Sequence, residues 1–256
     1  MWQIFGQLVW ADLKAFKQNA LSEVIDLLVW LVVVLTINVY LLPLFGVPTQ
    51  YLMISFSGSL ASSVSFRMFP GIYNLVNDIN GDRQIAQKLI LPIHPAFVFA
   101  AMILAFFIST LWVSIWSFPV SILIMRQLNP SFEILWGHFF AIWVVSALFF
   151  STFSVWVASY VKGPQQMGKV FTRFVFPLWF FGGFQFTWHK LYGVSPWLAY
   201  LDLVNPYIYA MEGMRTAVLG PEGNLDFGLC IAMLLVLMLL TFTHAFRRFK
   251  KQLDFV

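Results

Sequence analysis

The stretch Leu27-Leu-Val-Trp-Leu-Val-Val-Val-Leu-Thr36-Ile-Asn-Val-Tyr-Leu-Leu42-Pro-Leu-Phe-Gly46-Val-Pro48 continues through Thr49-Gln-Tyr-Leu-Met-Ile-Ser55-Phe-Ser-Gly58-Ser-Leu-Ala-Ser-Ser63-Val-Ser-Phe66 without one charged side chain. Lipid excludes charge, and a crossing helix needs about 20 apolar residues at about 1.5 Å each. Forty uncharged residues are too many for one crossing. Pro43, Gly46 and Pro48 break the run in the middle, so it reads as a hairpin of two spans, about 24–42 and about 51–75.

Working outward, four more spans follow. They lie at about 96–125, with Pro119 as a kink, at about 134–161, at 174–188 and at about 227–246. The fifth is short. Behind it come His189 and Lys190, a second short apolar piece, and a helix punctuated by Asn205 as cap, Pro206 at its first position and Gly220 at its stop. That helix carries Glu212 and Arg215 and is too short to cross; their spacing of three suggests a surface ion pair. The expected fold is therefore all-α and membrane-integral: six transmembrane helices, an N-terminal amphipathic interfacial helix over 1–22, a cytoplasmic loop over 76–95, and an outer re-entrant segment over 188–226. A single transmembrane unit, 1–256, holds all of it.

Composition agrees. The chain is 60% hydrophobic and 10% charged, with a mean hydropathy of +0.81; soluble domains carry about 25% charge. The net charge of +4 sits beside apolar spans, which points to membrane lipid headgroups and away from nucleic acid. Basic residues fix the orientation. With the N-terminus inside, Lys14, Lys17, Arg83, Lys88, Lys162, Lys169, Arg173 and the cluster Arg247, Arg248, Lys250 and Lys251 are cytoplasmic, and only Arg126, Lys190 and Arg215 are outside. Both termini are then cytoplasmic. The first apolar run acts as an uncleaved anchor, because Asp12, Lys14 and Lys17 interrupt the first twenty residues. The single cysteine, Cys230, can form no internal disulfide.

Trp2, Phe5, Val9, Leu13 and Phe16 share one helical face near the N-terminus, opposite Gln3, Gln7, Lys14 and Gln18. Such a helix lies in the membrane surface, as a simple anchor or as a moving contact element. In the loop Asn77-Asp-Ile-Asn-Gly-Asp-Arg-Gln-Ile-Ala-Gln-Lys-Leu-Ile-Leu-Pro-Ile-His-Pro95, Asp82 can cap a short helix whose apolar face holds Ile85, Ala86, Leu89 and Ile90, and Pro92 ends it. A short helix of this kind suits a groove on another protein; resting on headgroups is the alternative.

Arg67 lies well inside the second span, so it is either a functional charge or a snorkelling one, with Asp26 within reach. Ser55, Ser59 and Ser63, with Gly58 and Ala61, form a small-residue face for helix packing. His94, His138, His189 and His244 lack metal-ligand spacing, and no nucleophile–base set is present. Gly163-Pro-Gln-Gln-Met-Gly168-Lys169 has the spacing of a phosphate loop, but Val170 stands where the magnesium-holding Ser or Thr is needed, and the segment joins two spans. Some of the 11 Trp belong to interfacial belts, such as Trp136, Trp188 and Trp197. Trp112, Trp116, Trp143, Trp156 and Trp179 lie deeper and could line a path for a substrate with sugar faces; packing roles are the alternative.

The ordered set of Asp78, Gly81, Leu89, Leu91 and Pro92, then Pro177-Leu-Trp-Phe-Phe-Gly-Gly-Phe184, then Pro196-Trp-Leu, Asn205-Pro206 and Tyr209-Ala-Met-Glu-Gly-Met-Arg215, resembles the permease subunit of a type-2 ATP-binding cassette (ABC) exporter over nearly the whole chain. The resemblance implies a dimer of permeases working with a separate ATP-binding subunit in a bacterial cytoplasmic membrane; a homodimer of this chain is expected, with a mixed pair as the alternative. ATP and magnesium would be held by that partner and no cofactor by this chain. The coupling helix would be Asp82–Pro92, with Asp82, Arg83, Ile85, Lys88, Leu89, Ile90 and Pro92 as the ATPase contact. The substrate class implied is amphipathic: a lipid-linked glycan, a lipid or a hydrophobic drug. The alternatives are a non-transporting membrane scaffold with the same fold, or an intramembrane enzyme, which needs facing polar groups at mid-depth that the sequence does not supply.

Overall fold

The structure is a computed structural model that describes residues 2–81, 83–128 and 133–253. Among these residues it is helical throughout, without strands. Helix α1 (Trp2–Thr36) passes through a wide turn, Ile37–Leu41, into α2 (Leu42–Leu44). Helices α3 (Thr49–Ser65) and α4 (Met68–Asn80) follow, then the short α5 (Gln84–Leu89). Next come α6 (Pro95–Ile115), α7 (Ser117–Leu128) and α8 (Trp136–Ala158). Helix α9 (Met167–Val170) leads through a second wide turn, Phe171–Val175, into α10 (Phe176–Phe181). The chain ends with α11 (Trp188–Val194), α12 (Pro196–Asp202), α13 (Pro206–Leu219) and α14 (Phe227–Leu253).

Four helical stretches are long and apolar enough to cross a membrane: Trp2–Leu44, Pro95–Arg126, Trp136–Ala158 and Phe227–Lys250. They coincide with the first, third, fourth and sixth expected spans. The second and fifth are assembled from shorter helices. The cause is the same in each interruption. A proline ring clashes with the carbonyl four residues earlier and supplies no N–H. Pro70 therefore breaks the second span at Phe66, between α3 and α4, and Pro119 breaks the third after Ile115. Ahead of Pro43 and Pro177 the helix widens instead. There the last available donors, Leu42 N and Phe176 N, reach five residues back to Ile37 O and Phe171 O.

Helix α8 is the hub. It packs against α14, α4, α13, α6 and α3, while α13 packs against α14, α3 and α8. Helix α13 is therefore wrapped on all sides, and every residue from Pro206 to Val218 is buried. Serines Ser55, Ser59 and Ser63 are buried as well, so the small-residue face of α3 is a packing face. Ser59 and Ser62 donate back to Ser55 O and Gly58 O, and Ser63 meets Ser117 at 2.9 Å. Gly58 is indispensable to one contact, because a Cβ there would stand 2.3 Å from the Phe184 carbonyl.

The N-terminal region departs from expectation. Helix α1 has no break near residue 22, so the amphipathic segment and the first span are one rod. The apolar face expected on the membrane surface is largely turned to protein: Leu8 and Val9 are buried with Val98, Ala101 and Ala105 of α6, and Phe5 and Leu13 pack beside them. Residues facing outward there include Trp2 and Trp10.

Candidate functional site

Asp78 organises the loop after α4. Its Oδ1 accepts from Gln84 N at 2.9 Å and its Oδ2 from Ile85 N at 3.0 Å, satisfying the free donors at the start of α5. The cap read from the sequence, Asp82, lies outside the described residues; the carboxylate that caps α5 is four residues earlier. The chain can turn this tightly because Arg83 adopts a left-handed conformation, φ 51°. Ile85 is buried and Leu89 packs against the core, whereas Ile90 is 84% exposed. The expected apolar face is thus divided. Ile85 and Leu89 hold α5 to the bundle, and Ile90, Leu91, Pro92 and Arg83 face outward. Lys88 is tied to Asp12 of α1 by a short ion pair, which joins the loop to the N-terminal rod.

Arg67 stands at the joint between α3 and α4. Its Nε is 2.9 Å from Glu23 Oε2, and its guanidinium lies 4.3 Å from the Phe16 ring centroid and 5.5 Å from that of Phe106. It neither snorkels nor pairs with Asp26. Glu23, three residues earlier on the same face of α1, takes it, and the two phenyl rings cover it.

Glu212 and Arg215 form a fully buried ion pair at 2.7 Å, in place of the surface pair suggested by their spacing. Glu212 Oε1 also accepts from Trp188 N at 3.0 Å, and Oε2 from Leu225 N at 2.9 Å. Arg215 donates to the carbonyls of Gly183 and Phe184. One helix thereby fastens the chain that leaves α10 and the chain that enters α14. Gly183 occupies φ +85°, and a Cβ there would meet Ile208 at 2.8 Å, so the carbonyl can be presented to Arg215 only by a residue without one.

The five deep tryptophans do not converge. Trp112 and Trp116 form an edge pair at 6.1 Å and are about half exposed. Trp143 is buried and donates to Ser114 Oγ. Trp156 donates to His244 Nδ1 at 2.8 Å. Trp179 lines a groove, of about 500 Å³, between α1, α3, α4 and α10. Trp30, Phe66, Phe69, Phe176 and Tyr207 share its wall, and Glu23 and Asp26 stand at it. Trp30 sits 6.2 Å from Trp179, whose indole N–H donates to Ser62 Oγ at 2.8 Å. The sequence did not mark Trp30 or Phe69. Their only sign was aromatic character on two spans that later face each other.

The family model for the ABC-2 type transporter aligns with residues 3–219, which include the anchored loop after α4 and the folded-back segment through α13. The chain belongs to the ABC-2 type transporter family. No curated protein matches it. As an ABC-2 protein it is a transmembrane transport subunit, a multi-pass membrane permease of a class that works with an ATP-binding partner. The permease has ion pairs at the loop–α1 junction, at the α3–α4 joint and within α13.

Proposed function

We propose that this permease carries an amphipathic substrate (a lipid, a lipid-linked glycan or a hydrophobic drug) outward across a bacterial cytoplasmic membrane, driven by ATP hydrolysis on a separate subunit. It works as a homodimer with six crossings and both termini in the cytoplasm. Residues Arg83 to Pro92 receive the ATPase, and ATP and magnesium stay on that partner. The observation that carries this reading is the division of the α5 face: one side is locked to the bundle through Ile85, Asp78 and the Lys88–Asp12 pair, and Ile90 and Leu91 are left outward. An apolar pair presented on an anchored turn suits a hydrophobic cleft on a partner. The aromatic groove supports the substrate class, since Trp30, Phe69 and Trp179 offer apolar and stacking surface while Ser62 and Ser65 add polar contacts.

The test is co-purification of the full chain with a candidate ATP-binding subunit from the same genome. Ile90→Asp with Leu91→Asp is expected to abolish complex formation and ATPase stimulation while the isolated permease keeps its unfolding temperature. An unchanged complex would remove the coupling assignment. For the groove, Trp179→Ala is expected to lower substrate-stimulated ATPase activity several-fold without changing its basal level.

A further inference from the structure

A second cavity, of about 570 Å³, lies between α1, α4, α5 and α6. It shares only Glu23 with the aromatic groove. Two ion pairs frame it, Asp12–Lys88 at one end and Glu23–Arg67 at the other. Asp12 and Glu23 are eleven residues apart on one helix, so the frame is about 16 Å long. Much of the wall between them is polar, with Gln18, Asn19, Asn74, Asn77 and Gln84 presenting amides. Leu75, Ile85, Met102 and Ala105 supply apolar surface.

Two features of this wall are unbalanced. Arg67 lines the cavity at 6% exposure, and neither its Nε, 2.9 Å from Glu23 Oε2, nor its Nη1 makes a hydrogen bond. A buried guanidinium donor without an acceptor is costly, and a phosphate oxygen is its best complement. Beyond that, the wall carries three carboxylates, Asp12, Glu23 and Asp78, against two cations, Arg67 and Lys88. One negative charge is in excess, so a plain anion is a poor fit. A ligand that brings a phosphate and a cation together satisfies both imbalances. We infer that this cavity binds a phosphodiester–ammonium zwitterion of the phosphoethanolamine type, with the phosphate on Arg67 and the primary ammonium on the Asp12–Asp78 side. The apolar strip takes the first carbons of the glycerol and acyl region. The ligand would bridge α1 and the α5 loop beside the Asp12–Lys88 pair, at a place separate from the groove assigned to transported substrate, so the inference does not rest on that assignment.

The test uses the delipidated full chain in a non-ionic maltoside detergent, with retained lipid read by native mass spectrometry and stability by thermal shift. Phosphatidylethanolamine is expected to rebind and to raise the unfolding temperature. Phosphatidylglycerol, which has the phosphodiester but no ammonium, is expected to rebind at least tenfold more weakly. Soluble glycerophosphoethanolamine separates the sources. A shift equal to that of the lipid assigns the site to a free phosphodiester, and a response to the lipid alone assigns it to the bilayer. Ala15 is exposed at the cavity wall, so Ala15→Trp fills the space without replacing a charged residue and is expected to abolish the preference. Arg67→Met with Glu23→Met removes the pair together, avoids stranding a buried charge, and is expected to do the same. Equal binding of the two lipids, or full phosphatidylethanolamine binding by Ala15→Trp, overturns the inference.

Discussion

Replacing Glu212 by alanine removes three hydrogen-bonded partners at once. Arg215 Nη1 loses its acceptor at 2.7 Å, Trp188 N at 3.0 Å and Leu225 N at 2.9 Å. Glu212 and Arg215 are both fully buried, so water cannot replace the carboxylate. Breaking a buried ion pair from one side costs about 3–5 kcal/mol, and each stranded backbone donor about 1–3 kcal/mol. These costs overlap, because Arg215 retains the Gly183 and Phe184 carbonyls; the net loss is about 5 kcal/mol. At roughly 2–4 °C per kcal/mol for a chain of this size, the unfolding temperature should fall by about 10–20 °C, read by tryptophan fluorescence in detergent. Glu212→Leu with Arg215→Met removes the charge on both sides and should recover much of the loss. Should Glu212→Ala cost less than about 2 °C, or should the double variant be worse than the single one, the clasp would not be what holds the segments around α13 together.

Burial pushes the Asp202 carboxyl up to about 7, and the Glu212 charge adds to the rise against the lowering hydrogen bond from Asn205. A carboxyl raised in the folded state contributes stability that is complete below about pH 4 and lost as pH climbs through 7; Asp202→Asn should therefore raise the unfolding temperature at pH 8 and leave it unchanged at pH 4, compared by thermal unfolding at the two values. Gly58→Ala forces a methyl group onto the Phe184 carbonyl and should cost about 1–3 kcal/mol as overpacking, seen as a lower unfolding temperature. The Asp12–Lys88 pair is about a quarter exposed on each side, so Asp12→Asn should cost under about 1 kcal/mol, measured as a shift of no more than a few degrees.

How much of this was legible in the sequence depended on whether a signal was local. The uncharged run from Leu27 to Phe66, the breakers at Pro43 and Pro48 and the caps at Asn205 and Gly220 act on their own segments, and α2, α3 and α13 start and stop near them. Pro70 and Pro177 carried the same rule as Pro119, and they account for why the helices at the second and fifth expected spans come in pieces. What was not legible needed a second element. Glu23 and Asp26 lie on one face of α1, and only the rotation of α1 against α4 decides which meets Arg67. The Glu212–Arg215 spacing fits a surface pair equally well until two loops close over it. The apolar face at 85–90 looked like one surface, but α5 sits too close to the bundle to leave Ile85 and Leu89 free. Among the deep tryptophans, Trp179 shares a groove wall with aromatic partners from other helices.

The unbroken first helix has a mechanical consequence. From Asp12 to Thr36 it contains no joint. Glu23 pins it to Arg67 about 16 Å above Asp12 and about 20 Å below Thr36. A stiff rod turning about that point would move as a see-saw, together with α6, on which Leu8 and Val9 pack. A sideways displacement delivered through Lys88 to Asp12 would then reach the far end in the opposite sense. The widened turn at Ile37–Leu41 is then the first place where that tilt can be absorbed.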